Sequence, residues 1–329
     1  MLAPTLNYLR THNTVDFLFR ESVGNSLPRV LIVRNGDEFL DQATNQLGLL
    51  GAFFGTGYVM NTLVEKLTGG LQQKLSKPGK EWYRFGKSFS IFAMASGLLF
   101  AMPFFRNYVT TKRTGTTDYA QMIGEKTRQK LDQRVLNQKV SHSRNQFLTI
   151  AATGASISTA ILLSSLALAR RGVQMPKLIQ WLHRRFSLKE GNIGKLPLPS
   201  AVVFGTAPIF GAAFAASRDI YEKKEVALRF VGFTLSFFVF PRLVEKAVAR
   251  LAKSSIPPKW LGDFRNVAYV GKVLSTLLFC STLTNLANIY MTRRRVKRDM
   301  TKTTFSPFLT NPQNYTPLNR RPLIFTAYS

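Results

Sequence analysis

The stretch QFLTIAATGASISTAILLSSLALA, residues 146–169, decides the class of this fold. It runs 24 residues without a charged side chain. A bilayer core of about 30 Å takes roughly 20 residues of helix, and hydrocarbon offers no partner for an open backbone, so the run reads as a membrane-spanning helix. Three more uncharged runs flank it: SFSIFAMASGLLFAMPFF at 88–105, LPLPSAVVFGTAPIFGAAFAAS at 196–217 and VLSTLLFCSTLTNLANIYMT at 273–292. Two weaker runs complete the set. Residues 42–64 are uncharged but have polar ends, and residues 226–244 carry Arg229 and Arg242, which can snorkel toward the interfaces. The expectation is an all-α polytopic membrane protein of about six spans, arranged as three hairpins. Residues 1–41 are read as an extramembrane segment, 42–292 as the membrane domain and 293–329 as a basic and then Pro-rich tail.

The chain has 329 residues, with 45 Lys and Arg against 17 Asp and Glu, for a formal charge of +28. That is too basic for an ordinary soluble enzyme, while a 45% apolar content is too high for a disordered basic tail. The single cysteine, Cys280, excludes an intrachain disulfide framework, and the three histidines are too dispersed for a local metal motif. The positive charge gathers between spans. Leu67, Leu71 and Leu75, then Leu178, Ile179, Leu182 and Phe186 beside Arg184 and Arg185, then Leu243, Val244, Ala247, Val248 and Leu251, form apolar stripes with basic opposite faces. These predict three amphipathic connector helices in the headgroup plane. Trp82, Trp181 and Trp260 all flank candidate spans, where an amphipathic ring prefers the interface.

After the last span come Arg293, Arg294, Arg295, Lys297 and Arg298, which point to anionic lipid as the partner rather than nucleic acid. Prolines 307, 312, 317 and 322 then favour an extended segment suited to a protein partner. No catalytic motif and no cofactor-binding motif stands in the chain, so no enzyme activity and no cofactor are expected. Gly205 and Pro208 make the fourth run irregular and mark a kink or cavity. Arg218 and Asp219 just after it are expected to stitch a surface helix to Glu222 and Lys223 at i,i+4. Two small-residue rows, Ala151/Ala155/Thr159 and Ala152/Ser156/Ala160, are the expected helix-packing faces of the 146–169 run.

An internal repeat is suggested by Leu63-Val64-Glu65-Lys66 and Leu243-Val244-Glu245-Lys246, followed in order by Trp82 and Trp260, Gly86-Lys87 and Gly271-Lys272, and Tyr108 and Tyr290. In outline the plan is similar to that of mitochondrial carriers. Those carriers close each odd span with a Pro-x-acid-x-x-base motif. Here Pro241-Arg242-Leu243-Val244-Glu245-Lys246 has Arg where the acid belongs, and the other odd spans hold nothing comparable, so membership is not assigned. A small excess of Lys and Arg on the N-terminal side favours both termini in the cytoplasm. A plasma or inner membrane is expected over an organelle. The functional expectation is a non-enzymatic scaffold that binds lipid or protein. The alternative is a small-solute carrier or channel with its cavity among the small-residue helices.

Overall fold

The computed structural model describes residues 2–129, 131–186, 206–251 and 264–305, and every regular element among them is helical. Helix α1 (Leu2–Thr11) leads to α2 (Asn13–Phe19), which passes through a π-helical turn (Arg20–Ser26) into α3 (Leu27–Leu31). Helix α4 (Gly36–Leu50) runs through a second π-helical turn (Gly51–Gly55) into α5 (Thr56–Lys74). There follow α6 (Lys77–Thr114), the single turn α7 (Tyr119–Met122), α8 (Gln133–Arg171), α9 (Lys177–Phe186) and α10 (Ala207–Ala215). Helix α11 (Ile220–Thr234) continues through Leu235–Val239 into α12 (Phe240–Leu251), and α13 (Phe264–Ser275) through Thr276–Thr282 into α14 (Leu283–Phe305).

Local chemistry sets the ends. Asn35, Ser76, Asp118, Asp132 and Asp219 cap α4, α6, α7, α8 and α11 with side-chain oxygens that accept a backbone N–H of the first turn. Gly115 (φ 70°) and Gly172 (φ 63°) stop α6 and α8 in the left-handed conformation that suits glycine.

Four helices are long and apolar enough to cross a membrane: Gly36–Lys74, Lys77–Thr114, Gln133–Arg171 and Phe264–Thr301. At 38 or 39 residues they measure roughly 57 Å, so each overreaches a hydrocarbon core of about 30 Å. They are compatible with an integral membrane protein. The described residues do not establish six spans or three hairpins. The weak run 42–64 proves to lie in one of the four long helices. The run 226–244 sits in the continuous α11–α12 rod, and the run 196–217 is described only from residue 206, where α10 is nine residues long.

Two expected connectors differ as well. Leu67, Leu71 and Leu75 continue α5 or close its end, and residues 243–251 continue α12, so neither set forms a separate helix after a span. Only α9 stands alone. Trp82 is buried rather than at a lipid surface. It packs with Leu75, Tyr83, Ala169 and Met175, and its indole N–H donates to the Val173 carbonyl at 3.0 Å. Trp181 is exposed, and Trp260 lies outside the described residues.

Helices α6 and α8 form the tightest pair. A Cβ added to Gly97 would stand 2.6 Å from the Gly154 Cα, and one added to Gly79 would stand 2.5 Å from the Ala169 carbonyl oxygen. Ser158 Oγ donates to the Ser90 carbonyl at 2.7 Å, and Ser165 fills the place beside Gly86. The packing row of α8 is therefore Gly154, Ser158, Ser165 and Ala169. Both rows expected from the sequence flank it and are largely exposed or half-buried. Glycine and serine win the seam because backbones approach closest where side chains are smallest. Outward-facing Leu148, Ile157 and Leu163 on α8, like Leu278, Leu283 and Leu286 on the last long helix, remain exposed, as surfaces turned to lipid would be.

Candidate functional site

Two segments share one pattern. Arg34-Asn35-Gly36-Asp37-Glu38-Phe39-Leu40-Asp41 and Arg218-Asp219-Ile220-Tyr221-Glu222-Lys223-Lys224-Glu225 both read Arg, amide or acid, two residues, Glu, two residues, acid. The segments are 184 positions apart. Each begins a long helix, and each helix carries its π-helical turn at the same distance onward, Gly51–Gly55 and Leu235–Val239. Gly48 and Gly232, also 184 apart, each meet the helix that follows, at Met102 and Thr284 respectively. The chain thus holds two halves, α2–α6 and α10–α14, with α7–α9 between them. The tetrapeptide Leu-Val-Glu-Lys at 63 and 243 is one helical turn out of this register, whereas Tyr108 and Tyr290 fall in register with Thr110 and Thr292.

Within each copy the arginine turns onto its own helix start. Arg34 donates its backbone N–H (2.7 Å), Nε (2.9 Å) and Nη2 (2.7 Å) to Glu38, and Arg218 makes the same three bonds to Glu222 at 2.7, 3.0 and 2.9 Å. Asn35 and Asp219 accept the N–H of those same glutamates, each at 2.8 Å. Between copies the pairing is reciprocal. Arg34 reaches Glu225 at 3.0 Å, and Arg218 reaches Asp41 at 3.2 Å. Thr110 donates to Asp41 and Thr292 to Glu225, both at 2.6 Å. Arg106 of α6 adds a bond to Glu222 at 2.5 Å, and Arg229 closes on Glu225 at 3.1 Å. Four arginines thus face four carboxylates, all nearly solvent-free. Tyr119 of α7 sits in the middle, with its hydroxyl donating to Glu225 at 2.8 Å and its ring between the guanidiniums of Arg34 (5.6 Å) and Arg218 (5.2 Å). The short α7 is pinned by both caps. Asp219 accepts from the N–H groups of Tyr119 and Ala120, and Asn35 donates to the Met122 carbonyl.

Burial alone would raise the Glu222 carboxyl, but Arg106 and Arg218 overcome it and hold the group down at about 2. Asp219 goes the other way. Its burial raises it, and the Glu222 backbone N–H only partly offsets that.

No known protein-family model, curated protein or solved structure matches this chain. The geometry of the site itself therefore carries the reading.

Arg218 and Asp219 lie at the heart of the centre. The i,i+4 pair Arg218–Glu222 forms inside the protein rather than on its surface, and Asp219 caps α11 instead of bonding Lys223. Pro208 starts α10, and Gly205 lies outside the described residues. Arg184 and Arg185 belong to α9, with side chains outside the description. The basic stretch continues α14 as helix. Val296 on its inner face is fully buried against Tyr119, Met122 and Tyr221, while Arg293, Arg294, Lys297 and Arg298 face outward. Arg293 pairs with Glu125 at 3.0 Å. Tyr290, Met291, Arg294, Arg295 and Arg298 line a groove of about 550 Å³. The Pro-rich tail lies outside the described residues.

Sequence reading missed Arg34, Glu38, Asp41, Arg106, Tyr119, Glu225 and Arg229 as partners. For Arg34, Glu38, Asp41 and Glu225 the signal was present in the doubled Arg-x-x-x-Glu-x-x-acid spacing, whereas Arg106, Tyr119 and Arg229 lie outside that pattern.

Proposed function

We propose that the chain is a membrane carrier for a small polar solute, with the shared charge centre as the closed gate between its two halves. The observation that supports this is the reciprocity of Arg34–Glu225 and Arg218–Asp41. These ion pairs tie one half to the other at the helix ends, beside the apolar runs rather than within them. Carriers built from two halves alternate access by rocking one against the other, which needs contacts that hold one state and release in the other. A buried ion pair suits that task, because parting it unhydrated costs about 3–5 kcal/mol, whereas water or solute entering the gap supplies new partners.

The test is flux. Full-length protein in proteoliposomes is expected to give saturable, protein-dependent uptake of at least one small charged solute, and Arg34→Leu is expected to convert it to a leak. A tight vesicle with no uptake of any solute in either case would remove the reading.

The basic groove of α14 favours a second role, the binding of anionic lipid headgroups beside a span. Phosphatidylglycerol added to the detergent-purified chain should raise its unfolding temperature more than phosphatidylcholine does. The triple variant Arg294→Ala, Arg295→Ala, Arg298→Ala should lose that difference; an unchanged response would discard the role. In keeping with the charge balance of the loops, we place both termini on the cytoplasmic side.

A further inference from the structure

The two halves cross-pack, α10 of the second on α6 of the first and the α2–α3 segment of the first beside the start of α14 of the second, and the two interiors so formed differ at matched positions. In one, Ile209 of α10 packs with Leu99 and Met102 of α6 in an apolar cluster that includes Phe105. Phe210 meets Phe230 edge-on at 5.1 Å, and Val226 is buried beside them on α11. This is what a helical core in a membrane needs for packing alone. In the other interior most of these places are polar, although Ala287 stands for Phe105. Asn25 stands for Ile209 and bonds Cys280 at 3.4 Å, and Ser281 stands for Leu99 and donates to the Gly24 carbonyl at 2.6 Å. Ser26 and Gln46 stand for Phe210 and Phe230 and share a hydrogen bond at 3.1 Å. Gln42 stands for Val226, and Asn285 for Pro103.

This polar interior is enclosed by contacts on each side. The Ser26–Gln46 bond ties the π-helical turn between α2 and α3 to α4, and the bonds of Asn25 and Gly24 tie it to the Thr276–Thr282 turn that leads into α14. Asn288 of α14 donates to the Glu225 carbonyl, which joins the interior to the gate. Its polar groups are not all satisfied. Gln42 (2% exposed) and Asn285 (3% exposed) have both side-chain polar atoms without a partner, and the Gln46 Nε2 lacks one too. Buried amides left unpaired are costly, and the matched interior shows that this architecture stands without them. Arg29 stands where Ala213 does in the other half. It makes no ion pair among the described residues, and it lies within electrostatic reach of Arg229 and Arg106 as well as Glu21. The unpaired donors here are Gln42 Nε2, Asn285 Nδ2 and Gln46 Nε2, and the unpaired acceptors are Gln42 Oε1, Asn285 Oδ1 and Glu21 Oε2. Of the charged groups that bear on Arg29, the guanidiniums of Arg229 and Arg106 outnumber the single Glu21 carboxylate, which favours an anion over a cation.

We propose that the polar interior between α2–α3, α4 and α14 binds a small oxyanion-bearing solute, a carboxylate or a phosphate, with Arg29, Gln42 and Asn285 as donors. This deepens the carrier reading by naming its solute class, and equilibrium binding separates the site from translocation.

The experiment uses the full-length chain in detergent with succinate and inorganic phosphate as probes, followed by flux with the same probes. At least one probe should raise the unfolding temperature saturably. The double variant Gln42→Val, Gln46→Phe, which installs the residues of the other half, should bind at least tenfold more weakly while unfolding at the same temperature or higher without ligand. Arg29→Ala should weaken binding similarly. If neither probe stabilises the native chain, or if the double variant unfolds earlier without ligand, the polar residues are a structural core and the proposal is overturned. Binding without flux keeps the site and removes the carrier; flux that survives Arg29→Ala does the reverse.

Discussion

Arg218 serves two carboxylates at once, Glu222 one turn along its own helix and Asp41 on the other half. With its side chain only 5% exposed, its loss leaves both acids short of a cation in a dry setting. Arg218→Met should therefore cost about 3–5 kcal/mol of stability. Asp41→Leu should cost a comparable amount, and the double variant should lose about 1–3 kcal/mol less than the two single losses added together, because each single change orphans the other partner. Unfolding in detergent by denaturant measures the cycle; strict additivity would mean that the pair does not couple. Glu222 gives the centre an acid limit. Its folded value of about 2 lies below the ordinary 4.5, so its contribution is complete above pH 4.5 and is lost as pH falls toward 2. Glu222→Gln should lower stability at neutral pH and flatten the slope of stability between those values. An unaltered slope would place the acid sensitivity elsewhere.

At the level of elements, α6 and α8 meet backbone to backbone at Gly97 and Gly154. Nothing there can yield to a side chain, since the opposing atom is a Cα. Gly97→Val should push the helices apart and lower stability by about 1–3 kcal/mol or more. Gly70→Val, where an added Cβ meets open space, should change it far less. Equal effects at both positions, read from thermal unfolding, would deny that close approach holds the pair. This element also shows what a linear sequence conveys. The absence of charge over residues 146–169 was enough to announce a long apolar helix. Which of its small-residue rows faces a neighbour depends on α6, so Ala151/Ala155 and Gly154/Ser158 look equally suitable until the partner is known. Span count had the same weakness. Residues 42–64 read as marginal for their polar ends and 226–244 for two arginines, and of these Gln42 and Arg229 belong to buried polar clusters that no single run reveals.

For the whole molecule, α11–α12 is the counterpart of α4–α5 and leaves Val231, Leu235, Val239 and Leu243 exposed along one side. We expect it to cross the membrane despite Arg229 and Arg242. On a Cys280→Ser background, single cysteines at Lys223 and Arg250 should react with a membrane-impermeant thiol reagent from opposite sides; labelling from one side only would make the rod peripheral. The charge pattern at 34–41 and 218–225 shows why the doubling of the chain was only half visible beforehand. What the halves share is the spacing of a few ionic residues, while the apolar residues around them differ. The exchange of arginines across the centre has one more consequence. An arginine that reaches over to the opposite acid, answered by its counterpart reaching back, is the contact two identical shorter chains make across a dyad. A single ancestral half with an Arg-x-x-x-Glu-x-x-acid start would satisfy its own copy in the same way, so fusion into one polypeptide would have required no new chemistry at the seam.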